Sequence, residues 1–371
     1  MAALTEVARE KLQALTAAGR RRVLTDTARE GGMAVVRSGK RLISFSCNDY
    51  LGLSQHPDVK AAAKAAVEKY GAGAGASRFV TGNHPLYASL EAKLAVWKGM
   101  EAALVFGSGY LANTGIIPAL VGKGDLILAD RLVHACLIDG ALLSDAKLLR
   151  FKHNDMDDCQ RLLEEHRGKH KHCLIVTDEV FSMDGDIAPL AELSALGSQY
   201  DAWLLADGAH SLAAEHAPVD IYVGTFSKAL GSYGGFVAAK RDVIDYLATS
   251  ARSLIFSTAL PPAAVAAAEA ALAILRADPV LAKAPLAKAR LFTEATGLPL
   301  AQSPIVPLVL GEESKALKAA AEFEGAGYLA VAIRPPTVPE GTSRLRLAFS
   351  ALHRDEDILA LAGFIKNKGW V

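Results

Sequence analysis

From residue 102 onward the chain keeps returning to one short pattern: a run of four mostly apolar residues, then a helix-length or turn-rich stretch, then another run. Seven such runs occur, at 103–106, 126–129, 148–151, 174–177, 203–206, 221–224 and 235–238. A strand with one face in water alternates polar and apolar residues. A strand that is apolar throughout is buried on both faces, and helices in the crossovers between parallel strands provide that cover. The pattern predicts an α/β fold whose mostly parallel seven-stranded sheet is covered by helices. At 371 residues the chain exceeds the usual single domain. Its character changes near residue 283, where helical patterns alternate with two further strands, at 305–310 and 343–349. The expectation is an N-terminal helical segment over 1–40, a large α/β domain over 41–282 and a smaller α+β C-terminal domain over 283–371.

Open parallel sheets bind ligands beyond the carboxyl ends of their strands, so the residues after each run are the candidates for chemistry. After the first run, Ser108, Gly109 and Tyr110 open a helix whose free N–H groups and dipole suit a phosphate. His134 follows the second run, His153 the third and Ser182 the fourth; Asp207 and His210 follow the fifth, and Thr225, Ser227 and Lys228 the sixth. A lysine just past a buried strand is rarely there without use, and the use most open to it is an imine with an aldehyde. Thr225 and Ser227 offer hydroxyls to a phosphate, and Asp207 offers a carboxylate to a pyridinium nitrogen. Pyridoxal 5'-phosphate (PLP) requires this arrangement to act as an electron sink. A lone His134 would read as a structural histidine; the joint placement at one sheet edge gives it weight.

Other features narrow the function. Lys+Arg and Asp+Glu each number 40 and are spread along the chain, which argues against nucleic acid or an anionic membrane as the main partner. The longest apolar run, 259–275, contains Pro261, Pro262 and Glu269 and is too short and interrupted to span a membrane. The N-terminus lacks the apolar core of a secretory signal. The four cysteines show no C-x-x-C spacing, which fits a reducing cytoplasm. The glycine-rich 71–78 stretch misses G-x-G-x-x-G and follows a helical pattern, so it reads as a close-packed backbone segment rather than a dinucleotide loop. His166, His170, His172 and Cys173 stand among lysines as a solvated turn, and no metal is expected. The Arg20-Arg21-Arg22 run reads either as a dipole-matched helix end or as a partner for an acidic substrate. The proline-locked 332–339 segment could present Arg334 and Thr337 to a carboxylate.

The motifs at 46–53, 181–186, 224–231 and 334–339 together resemble those of the α-oxoamine synthases, fold-type I PLP enzymes that condense an amino acid with an acyl thioester and release carbon dioxide. The likeness covers nearly the full length. It implies that Lys228 binds the cofactor aldehyde and moves protons at the substrate Cα, that Asp207 keeps the pyridine nitrogen protonated and that His134 stacks on the ring. Ser182 and His210 would bond its phenolic oxygen. Ser108, Gly109, Tyr110, Thr225 and Ser227 would take the phosphate, and Thr258 the phosphate of a partner subunit, since family members are homodimers with sites at the interface. Arg22, Asn48, His134, Arg334 and Thr337 would meet substrate, with Arg20 an equally arguable counterpart for Arg22. The motifs at 130–140 and 334–339 look most like the branch using L-alanine and a pimeloyl thioester, its carrier being coenzyme A or acyl carrier protein. A sibling branch using glycine and acetyl-CoA shares the cofactor residues. Retention of Lys228 with Asp207 argues against a non-catalytic scaffold. Two departures stand out: Gly208 replaces a usual acidic residue, and the segment after His210 is shortened.

Overall fold

The computed structural model describes residues 3–212 and 218–371. They form two compact units that interleave along the chain. The larger comprises Asp49–Ser182 and Asp186–Ala284; the smaller comprises the residues up to Asn48, Met183–Gly185 and Pro285–Val371.

The larger unit is built on seven strands: β1 (Ala102–Phe106), β2 (Leu126–Asp130), β3 (Lys147–Phe151), β4 (Cys173–Asp178), β5 (Trp203–Asp207), β6 (Ile221–Thr225) and β7 (Gly235–Ala239). They lie in the order β1-β7-β6-β5-β4-β2-β3. All seven expected runs are strands. Only β7 runs against its neighbours β1 and β6; the link 226–234 is too short for the crossover a parallel partner needs. The near-continuous apolar character has the expected cause. In β1, Ala102, Leu104 and Phe106 belong to one buried cluster and Ala103 and Val105 to another, so each residue meets a covered face. Strand β3, at the sheet edge, is the exception, with Lys147 and Arg150 exposed.

The smaller unit holds a four-stranded sheet in which Lys40–Ser44 pairs in parallel with Tyr328–Leu329, and a three-stranded sheet of Ile305–Gly311, Ser343–Ala348 and Ala332–Ile333. Its core gathers Phe45, Phe292, Phe323 and Phe349. The polar stretch before residue 40, which reads as loose in sequence, contains a strand pair, Thr27–Arg29 with Ala34–Arg37. The 71–78 segment also differs from expectation. A Cβ on Gly71, Gly73 or Gly75 would meet nothing within 4 Å, and Gly71 and Gly75 have φ of +85° and +74°; glycine is needed there for backbone direction, not for packing. The shortened segment after His210 falls in 213–217, outside the described residues.

Candidate active site

Every strand of the larger unit except the reversed β7 brings at least one polar residue to the shared carboxyl edge, and the residues after β1 and β2 also start helices. Ser108 caps the helix Gly109–Leu120, its Oγ accepting from the Leu111 N–H at 3.1 Å, and the first N–H groups of a helix have no partner within it. The backbone of β7 runs close against this helix end: a Cβ on Gly235 would lie 2.4 Å from Gly109 N. Beside it, Thr225 Oγ1 is 2.8 Å from Ser227 Oγ and donates to the Gly234 carbonyl at 2.8 Å. Two hydroxyls and a helix N-terminus thus meet, the donor set of an anion site.

His134 caps the helix Ala135–Leu143, its Nδ1 accepting from the Cys136 N–H at 3.3 Å and standing 2.9 Å from Cys136 Sγ. Burial lowers the His134 pKa. Nδ1 is therefore an acceptor on a neutral ring whose proton sits on Nε2. Asp207 closes β5, opposite Asp178 at the end of β4. Its Oδ1 accepts from the Ala209 N–H at 2.9 Å and its Oδ2 from Asn113 Nδ2 at 2.6 Å. Burial, then the charge of Asp207, pushes the Asp178 pKa well up. Tyr50 Oη lies 2.7 Å from His210 Nδ1, and His210 Nε2 lies 2.8 Å from Lys228 Nζ, so one imidazole joins the phenol to the amine.

A cavity of about 230 Å³ collects these groups: Ser108, Gly109, Tyr110, His134, Ser182, Asp207, His210, Thr225, Ser227 and Lys228 all line it, with Cys136 and Asp178 added. Thr258 does not. It pairs as a β-bridge with Ser77 beside Arg78 and Tyr87, outside the cavity wall. Arg22, Asn48, Arg334 and Thr337 belong to the smaller unit, where Arg22 Nη2 donates to Thr337 Oγ1 at 2.7 Å, Arg346 donates to Asn48 Oδ1 at 3.0 Å and Arg334 to the Gly19 carbonyl. Arg20 is already engaged by Glu340 at 2.9 Å and Glu313 at 3.5 Å.

Sequence reasoning missed Asn113, which reaches Asp207 across 94 residues of chain, and no local pattern announces that. Asp178 follows the fourth run, and Cys136 and Tyr50 lie in the 130–140 and 46–53 motifs, but the sequence reading assigns none of the three a role.

The sequence matches the class I and II aminotransferases over residues 40–365. An 8-amino-7-oxononanoate synthase of Methylobacterium nodulans is 55% identical over 368 residues, covering 99% of this chain and 97% of that one. The chain belongs to the 8-amino-7-oxononanoate synthase family. Among solved structures, a serine palmitoyltransferase of S. paucimobilis with a bound PLP–myriocin adduct is 29% identical at a TM-score of 0.91, covering 100% of this chain and 98% of that one. The 8-amino-7-oxononanoate synthase of Francisella tularensis is 28% identical at 0.74, covering 88% and 97%. The α-oxoamine synthase resemblance carried by the motifs is borne out, as is the fold-type I architecture, with its mostly parallel sheet and smaller second unit.

Proposed function

We propose that this chain condenses L-alanine with a pimeloyl thioester to give 8-amino-7-oxononanoate, carbon dioxide and the free thiol of coenzyme A or acyl carrier protein, the step its relatives' name places in biotin synthesis. The observation that carries the reading is the cavity in which the Lys228 amine, the Asp207 carboxylate and the hydroxyl-lined helix end converge. Those residues fit PLP by their chemistry: an anion site for the phosphate, a carboxylate for the ring nitrogen and an amine for the aldehyde. His134, its pKa lowered by desolvation, would supply a stacking face, and Ser182 and His210 the bonds to the phenolic oxygen.

Bound PLP supplies an electron sink for charge developing at the amino acid Cα. Lys228 Nζ would hold the aldehyde at rest and, once the substrate amine has taken its place there, would be free to take and return the Cα proton. Held 2.8 Å from it, His210 Nε2 fixes the amine's direction, and the Tyr50 phenol fixes the imidazole in turn. Asp207, accepting from the Ala209 N–H and Asn113 Nδ2, would face the ring nitrogen and hold a proton there. Arg22, Arg334 and Thr337 are assigned to substrate carboxylates; the prior engagement of Arg20 by Glu340 and Glu313 supports Arg22 over Arg20. Asn48 is assigned to substrate and Thr258 to the phosphate of a partner subunit in a cytoplasmic homodimer.

Thiol release by the PLP-loaded protein, with L-alanine or glycine paired with pimeloyl-CoA or acetyl-CoA, tests this. Turnover confined to alanine and pimeloyl-CoA is expected. Turnover mainly with glycine and acetyl-CoA would keep the mechanism and overturn the substrates.

A further inference from the structure

Asn113 lies wholly buried in the helix Gly109–Leu120, one turn past the Gly109 end that faces the anion site. Residues four apart share a helix face, so one rigid element presents both. Its Nδ2 donates to Asp207 Oδ2 at 2.6 Å and lies 3.2 Å from Cys136 Sγ. The orientation of the amide is set by chemistry, since a carboxylate can only accept. Among the described residues its Oδ1 is buried without a hydrogen-bond partner. A side chain kept for packing would not carry that unmet acceptor, and a leucine of similar volume would avoid it. What the site retains is the Nδ2 donor. The helix has little room to shift: a Cβ on Gly140 would lie 2.8 Å from the Asn113 carbonyl oxygen, and one on Gly115 would lie 2.0 Å from Ser253 Oγ.

We propose that Asn113 is a positioning residue for the carboxylate that faces the cofactor ring nitrogen, so that the helix taking the phosphate also sets the plane of Asp207. The assignment rests on the PLP reading above. With Ala209 N–H on Oδ1 and Asn113 Nδ2 on Oδ2, where Cys136 Sγ also lies at 3.8 Å, the carboxylate is held at both oxygens. Through Cys136 the same amide is linked to Nδ1 of His134, so both residues assigned to the ring share one anchor.

The test compares wild type, Asn113→Ala and Asn113→Asp, reading PLP retained after gel filtration and the pH dependence of the bound cofactor's visible absorption, with kcat alongside. Asn113→Ala is expected to retain PLP roughly tenfold less tightly and to lose roughly tenfold in kcat at all pH values, with both KM values unchanged. In Asn113→Asp a protonated carboxyl can donate to Asp207 as the amide does, whereas an ionised one repels it. That variant should hold PLP on the acid side and release it as pH rises, and its recovery in acid shows that the fold survives. Wild-type retention and absorption in Asn113→Ala, or pH-independent behaviour in Asn113→Asp, would overturn the proposal. A wild-type protein that takes up no PLP would instead overturn the cofactor reading, and this proposal with it.

Discussion

The two edges of the seven-stranded sheet make an instructive pair. At the amino ends of β5 and β6 lies a hollow of about 470 Å³, lined by Ser194, Ser198, Asp201, Trp203 and Asp220 among others. At the carboxyl ends lies the 230 Å³ cavity described above. The larger space is chemically idle. Asp220 is spent on the Leu204 N–H at 2.8 Å, and Asp201 on Arg167 at 2.7 Å; each acts as a local brace. At the other edge the polar groups share partners: Asp207 with Asn113, Asn113 with Cys136, Cys136 with His134, and His210 with both Tyr50 and Lys228. Volume alone does not mark a site; side chains that converge from several strands on a few positions do.

The sharpest way to break this contrast is Lys228→Ala. It removes the only group assigned to both the cofactor aldehyde and the Cα proton, so thiol release should fall by at least ~10³-fold while the circular dichroism spectrum is unchanged. Near-wild-type turnover would end the reading of the carboxyl edge as catalytic. Next comes Asp207→Asn, which keeps shape and removes charge. Loss of a preorganised charge partner should lower kcat roughly 10²-fold, and a loss of less than about threefold would show that the ring nitrogen needs no carboxylate.

How much of this contrast the chain announces beforehand follows from physical range. Strands buried on both faces write themselves as continuous apolar runs, so all seven were legible, and the residues after them could be read because chemistry gathers at carboxyl ends. Lys228 and Asp207 stand directly past such runs. Strand direction is less local: the reversed β7 is signalled only by the short 226–234 link. The pairing of Lys40–Ser44 with Tyr328–Leu329 joins segments nearly 300 residues apart through a two-residue strand, too short to show periodicity. Asn113 sits in a largely apolar helix, where a single amide looks incidental until Asp207 is placed opposite it.

A smaller effect is expected at His153, also at the carboxyl edge but outside the cavity wall. Its Nδ1 is 3.0 Å from buried Asp130 and its Nε2 is 2.6 Å from Asp186, with the Phe181 ring edge-on at 4.4 Å. Burial by itself lowers the imidazole pKa, but the bonds to the two carboxylates outweigh it and raise it to about 10. A pKa raised on folding gives stability that is fully present below the unfolded value, near 6.5, and is lost as pH rises through about 10. His153→Gln should therefore lower stability by about 2 kcal/mol near neutrality, discounted for partial exposure. The gap between variant and wild type should narrow as pH rises toward about 10. Urea melts of both proteins across that range measure it, and a gap that does not change with pH would mean the imidazolium is not what braces the segment.

The smallest expected effect tests the comparison from its idle side. If the amino-edge hollow were a ligand site, filling it would matter; if it is only space between a helix end and two strand starts, filling it is harmless. Ser194→Leu puts an isobutyl group against Trp203 and Leu204 at a position only partly buried, where it can displace water without forcing the backbone. Stability should stay within about 0.5 kcal/mol, and kcat, KM and PLP retention within about twofold, since no group that touches cofactor or substrate is moved. A kcat loss exceeding about tenfold with an intact melting curve would show that the amino edge communicates with the carboxyl edge through the strands that connect them. An unchanged kcat in Ser194→Leu, set beside the collapse expected for Lys228→Ala, would locate the chemistry at one end of the sheet by experiment.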